Sequence, residues 1–140
     1  MKTPILIAVV LVSISLLVAS CAPGGVGAKP EPAKPQTVAD LCKDPSRYVD
    51  QNVTLKGVYQ GFRAAECRFP DEASGTGVTR SDWLFRTGDD CLYVTGGAPE
   101  GIDTLDQGQI GRRLEITARV SRNEAGKFFL KYVEGRLLAD

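Results

Sequence analysis

The chain has 140 residues, with seventeen Lys and Arg against seventeen Asp and Glu and no histidine at all. Balanced charge advertises no nucleic-acid surface, and the missing histidine removes the commonest general base, the usual metal ligand and the physiological pH switch together. Four cysteines remain as the most reactive side chains.

Lys2 stands ahead of an apolar run from Ile5 to Val18, interrupted only by Ser13 and Ser15 and followed by the small residues Ala19 and Ser20. A positive start, an apolar stretch and small residues in that order are signal-peptide anatomy. The 14-residue run would span roughly 21 Å as a helix, short of the roughly 30 Å hydrocarbon core, which argues against a transmembrane span. Val18-Ala19-Ser20-Cys21 resembles the lipobox of bacterial lipoprotein precursors. That resemblance implies cleavage before Cys21, a diacylglycerol thioether on its sulfur and acylation of its amine. At about 0.8 kcal/mol per buried methylene, two or three chains hold a protein at a membrane durably. Ala22 replaces the aspartate that commonly marks inner-membrane retention in such proteins, so in a cell with two membranes the expectation is the outer one. The implied location is the cell envelope, facing away from the cytoplasm.

Ala22 to Gln36 is made of prolines, glycines, alanines and lysines with almost nothing to bury. It reads as a disordered tether able to hold a domain some 20 to 45 Å from the bilayer. The organisation is therefore residues 1–20 as signal peptide, 21–37 as lipidated cysteine and tether, and 38–140 as one domain with a single core. Lys2 is the one basic residue in the signal segment, so the mature chain carries sixteen basic against seventeen acidic groups, about −1.

Within the domain, Thr37 is placed to cap a short helix through Val38–Cys42, with Asp40 at its third position and Asp44-Pro45 ending it. From Val53 apolar residues alternate, with Val53, Leu55, Gly57 and Tyr59 on one face, predicting a long first strand that ends near Phe62. Ser81–Arg86 and Cys91–Thr95 are aromatic and apolar strands joined by a four-residue connection, Thr87-Gly88-Asp89-Asp90. Arg112–Val120 points Leu114, Ile116, Ala118 and Val120 inward, and Phe128–Val133 follows the turn Asn123–Gly126. Only a loop is expected between strands three and four.

Five strands in this order, with glycines Gly57 and Gly61 relieving a bend in the first, predict an all-β, five-stranded Greek-key barrel. Tyr48 through Gly57, Ser81-Asp82-Trp83 and Leu92-Tyr93-Val94-Thr95-Gly96 resemble the small OB-fold domains of prokaryotic envelope proteins, over about Asp40 to Leu138. The resemblance implies a ligand face on strands two and three, where aromatic stacking contributes roughly 1 to 3 kcal/mol per ring. Its candidates are Tyr59, Arg63, Arg80, Trp83, Arg86 and Tyr93, accompanied by Phe62, Arg68 and Phe69. The competing reading is plainer: Trp83 and Phe85 share strand parity, and a small barrel needs its large residues in the core.

Cys42, Cys67 and Cys91 are left in the domain, enough for one structural disulfide and one spare thiol. Cys67 with Cys91 closes the shorter loop, whereas barrel topology brings the helix carrying Cys42 towards Cys91; the balance leans to Cys67 with Cys91. Such a bridge contributes roughly 2 to 4 kcal/mol. Asp89, Asp90, Asp103 and Asp106 form no run of alternating oxygen ligands for calcium. Ser81 beside Asp82 has no base to join them, and Gly96-Gly97 lacks a phosphate-loop lysine.

The expectation is a non-enzymatic, metal-free and cofactor-free binding module. It would be held at the membrane through lipid on Cys21 and would face an envelope protein, glycan or small ligand. A thiol/disulfide or metal-handling lipoprotein using Cys42, Cys67 and Cys91 is the alternative. Single-stranded nucleic-acid binding has only fold analogy behind it. Oligomeric state has no signature in the chain.

Overall fold

The structure, a computed structural model, describes residues 34–73 and 81–139. The signal segment, Cys21, the tether up to residue 33, and Arg80 lie outside the described residues. Among the described residues no helix is long and apolar enough to cross a membrane.

Helix α1, Val38–Lys43, begins at Thr37, whose side chain accepts the amide of Asp40, and it buries Val38 and Leu41. A 3-10 turn over Pro45–Tyr48 leads into β1, Asn52–Gly61. The remaining strands are β2, Trp83–Thr87; β3, Asp90–Thr95; β4, Arg113–Arg122; and β5, Phe128–Leu137. They form a closed barrel in the order β1-β2-β3-β5-β4, with β3 and β5 parallel and every other neighbouring pair antiparallel. Between β3 and β4 the only helical turn is the 3-10 turn Gln107–Gln109.

β1 serves two neighbours. Asn52 to Val58 pair with β4, and Val58 to Gly61 pair with β2. Gly57 sits at this handover because a Cβ there would run into the carbonyl of Arg86 and come 2.7 Å from the Phe85 ring. At the far end the register shifts between Tyr59 and Gly61, and Gly61 takes a φ of 60°, a conformation that glycine adopts at little steric cost.

β2 starts at Trp83 rather than Ser81 and β4 runs to Arg122 rather than Val120, and the strand bounds differ from expectation more consequentially in two further places. Thr87 pairs with Asp90, so the hairpin connection is the two residues Gly88-Asp89 rather than four, with Gly88 at φ 59° as the first central position of a II′-type turn requires. β5 runs four residues beyond Val133, because its pairing with β4 continues through Glu134↔Thr117 to Leu137↔Leu114 across a bulge at Thr117/Ala118. Backbone pairing carries that extension through Glu134 and Arg136, and Leu137 at its end packs against the core.

The core is the barrel interior. Val53, Leu55 and Tyr59 from β1 meet Trp83 and Phe85, Leu92 and Val94, the β4 residues Leu114, Ile116, Ala118 and Val120, and Phe128 and Leu130. Trp83 is central: its ring lies 5.4 Å from Tyr59 and 6.4 Å from Phe85 in tilted and edge-on contacts. Its indole N–H donates to the carbonyl of Gly97 at 2.8 Å. α1 closes one end, tied down by the Val38 amide donating to Thr87 Oγ1 at 2.8 Å.

Candidate ligand-facing surface

The outer side of β2 and β3 is not open. Strand alternation sends Trp83, Phe85, Leu92 and Val94 inward and leaves Leu84, Arg86, Cys91 and Tyr93 facing outward. Leu84 and Cys91 are nevertheless fully buried. The segment after β1, residues 62–73, crosses this side as a strap over Cys91 and Tyr93. Cys67 is joined to Cys91, with Cα atoms 5.5 Å apart. One residue on, Arg68 Nε donates to Asp90 Oδ1 at 2.6 Å; the amide of Arg68 donates to Asp89 O at 2.8 Å, and the Cys91 amide returns the bond to Arg68 O at 2.9 Å. The Phe69 ring then stacks on Tyr93.

The strap also mends the barrel wall. β3 and β5 pair only at Val94↔Leu130 and Thr95↔Lys131. Below that point the strap bridges the gap, Arg68 to Asp90 on one side and Ala73 to Phe128 on the other. The Phe128 amide donates to Glu72 O at 2.7 Å, and Lys127 Nζ donates to the carbonyl of Asp71.

Beneath the strap the polar contacts are incomplete. Gln60 is fully buried; its Nε2 donates to Glu66 Oε2 at 2.9 Å. Its Oε1, and Nε of Arg86, are buried with no hydrogen-bond partner among the described residues. An unsatisfied buried group costs about 1–3 kcal/mol, so the burial of Gln60 beside Glu66 is unfavourable at its Oε1.

These facts redistribute the sequence candidates. Tyr59 and Trp83 are 1% and 0% exposed in the barrel core, so neither is a ligand-face residue. Tyr59 spends its hydroxyl on the carbonyl of Thr104 at 3.2 Å, and burial, followed by the charges of Asp103 and Asp106, holds that hydroxyl in its protonated form above the usual tyrosine pKa. Tyr93 is half-buried under Phe69, and Arg86 is half-buried with Nη1 donating to Gly88 O at 3.3 Å. Arg63, Arg68 and Phe62 are exposed along the strap. The structure thus gathers Arg63, Arg68, Phe69 and Tyr93 along one strap-covered side and sends Tyr59 and Trp83 elsewhere. Sequence reasoning passed over Gln60, Leu84 and Glu66, and treated Asp90 as a turn residue. The one available signal was Leu84, an apolar residue on the polar parity of an aromatic strand.

Cys42 is the free cysteine among the described residues, half-buried at the edge of the core. Burial, then the charges of Glu72 and Asp90, push its thiol up to about 11. It is therefore a poor nucleophile at neutral pH. No group of three or more His, Cys, Asp or Glu side chains among the described residues is arranged to hold a metal ion.

Comparison with protein-family models and with curated proteins finds no match. The surface has to be read from its own chemistry.

On the opposite wall, Glu115 of β4 bridges two cations, Arg136 at 2.8 Å and Lys56 at 3.3 Å. Its hydrogen bond to Arg136, then that to Lys56, keeps the carboxyl below the usual glutamate value. This is a solvated charge ladder of the kind that keeps a sheet face soluble.

Proposed function

We propose that this chain is a lipid-anchored envelope lipoprotein whose barrel, OB-like in type, works as a non-catalytic binding module for a protein or glycan partner. The strand order β1-β2-β3-β5-β4 with its parallel β3–β5 closure supports the OB-like reading. The lipobox-like Val18-Ala19-Ser20-Cys21 supports the anchor, and Ala22 supports the outer membrane where two membranes exist.

The observation that carries the binding reading is the strap-covered side of β2 and β3. It joins a stacked aromatic pair, Phe69 and Tyr93, to the exposed guanidinium groups of Arg63 and Arg68 on an element held rigid by a covalent bridge. Flat rings beside cationic hydrogen-bond donors suit the apolar faces and hydroxyls of a sugar or the acidic rim of a protein. A site on a pinned strap loses little conformational entropy on binding.

Two measurements test this. A palmitate analogue fed to cells should label the protein through Cys21, and Cys21→Ser should abolish both the label and the membrane fraction; a labelled or membrane-bound Cys21→Ser protein removes the anchor. Backbone chemical shifts recorded while adding soluble envelope glycan fragments should move in residues 62–73 and 84–95. Shifts confined to the Glu115 wall would place the surface elsewhere and sink this one.

A further inference from the structure

We propose that the Cys67–Cys91 disulfide is a redox latch: its reduction lets residues 62–73 lift away from the outer side of β2 and β3, and its reoxidation closes them again. The inference deepens the reading of that side as a binding surface and rests on it only for its purpose.

Four observations carry it. The barrel core does not depend on the strap, which contributes Ala73 and the edge contact of Phe69 while the five strands and α1 supply the rest. Apart from the disulfide, the ties of the strap to the barrel among the described residues are local polar contacts and one ring stack: three backbone bonds to β3, the turn before it and β5, the side-chain bonds of Gln60 to Glu66 and of Lys127 to the Asp71 carbonyl, and an ion pair whose arginine is 70% exposed. Gln60, bonded to the strap through Glu66, is buried with its Oε1 lacking a partner among the described residues, so lifting the strap opens an unsatisfied polar group to solvent. Finally the two sulfurs are unequal. Cys91 is fully buried and Cys67 half-buried, which leaves Cys67 as the sulfur that an incoming thiolate can reach.

The reductant is a dithiol, protein or small molecule. Its thiolate attacks Sγ of Cys67; the Cys67–Cys91 bond breaks and its electron pair leaves on Sγ of Cys91, which takes a proton from solvent. The second thiol of the reductant displaces Cys67 from the mixed disulfide, so the dithiol ends as its own disulfide and the protein gains two electrons and two protons. Cys42, with its thiol pushed up to about 11, does not compete as an attacking group at neutral pH. The lifted strap uncovers Cys91 and Tyr93 and frees the amides of Cys91 and Phe128, both engaged by strap carbonyls in the closed form.

Amide hydrogen exchange on the full chain, with and without dithiothreitol and in the absence of any ligand, tests the latch. In the reduced protein the amides of Arg68, Cys91 and Phe128 should exchange about tenfold faster or more. Those of Asp50 and Val120, which join the start of β1 to β4, should hold their rates, and reoxidation should restore the first set. Cys67→Ser should reproduce the reduced pattern without reductant. Unchanged protection at Arg68, Cys91 and Phe128 after full reduction overturns the latch. So does equal acceleration at Asp50 and Val120, which would make the disulfide a staple for the whole barrel. Because no ligand is present, the latch and the binding reading fail separately.

Discussion

The ring of Phe69 lies nearly parallel to that of Tyr93, 5.6 Å centre to centre and 14° apart, so a loop residue completes the outer side of a strand residue just past the hairpin turn. The contact holds the strap where the disulfide places it. Phe69→Ala should therefore lower stability by about 1–2 kcal/mol through lost stacking and area, read as a smaller urea midpoint at constant slope. An unchanged midpoint would mean that the stack contributes nothing to holding the strap.

Trp83 makes the opposite case. Buried to 0% exposure between Tyr59 and Phe85, it should cost about 3–5 kcal/mol when cut to alanine. Trp83→Phe keeps an aromatic ring but loses the indole bond to Gly97 O, and should cost appreciably less, with about 1 kcal/mol of its loss traceable to that bond. Urea denaturation of the pair separates packing from hydrogen bonding; both variants lose the indole bond, so equal losses would deny ring packing its share.

Gly57→Ala has no room. A methyl there meets the Arg86 carbonyl and the Phe85 ring, so β1 must pull away from β2 at the handover between its two neighbours. The expected loss is at or above the top of the usual overpacking range of about 1–3 kcal/mol. Gly88, at the hairpin turn with open space around it, should lose less on the same change, from backbone strain alone. Thermal melts of the two variants check the order.

Cys42 should resist alkylation near neutral pH and react faster as pH climbs towards about 11. The sign of its effect on stability follows from the same shift. Its thiol stays protonated longer in the folded state than in the unfolded one, so its contribution is complete below the unfolded value of 9.0 and is lost as pH rises through about 11. The urea midpoint of the parent protein should fall more steeply between pH 9 and 11 than that of Cys42→Ala. Parallel curves would show that the thiol titrates alike in both states.

How much of this was legible depends on which force acted. The alternation Val53, Leu55, Tyr59 and Leu114, Ile116, Ala118, Val120 marks the inward faces of β1 and β4, because a strand's side chains alternate with period two whatever lies around them. The same rule could not see that Leu84 and Gln60 are buried. Each sits on the outward parity, yet both are fully buried in the folded chain. Trp83 and Tyr59 were readable as ligand rings or as core, since aromatic residues suit both; only the closing of the barrel around them chose.

From the order of its residues alone this chain determines that it is built of strands, that Gly57 and Gly61 stand where the first strand must bend, and that histidine chemistry is absent. Tertiary structure decided the rest: that Cys67 and not Cys42 reaches Cys91, that β5 extends through polar residues to Leu137, and that the outer side of β2 and β3 is roofed by residues 62–73. The physical reason is range. Alternation, turn chemistry and glycine geometry act between near neighbours, whereas a disulfide and a ring stack depend on where a closed barrel brings residues twenty or more positions apart in the chain, as with Cys67 and Cys91, 24 apart.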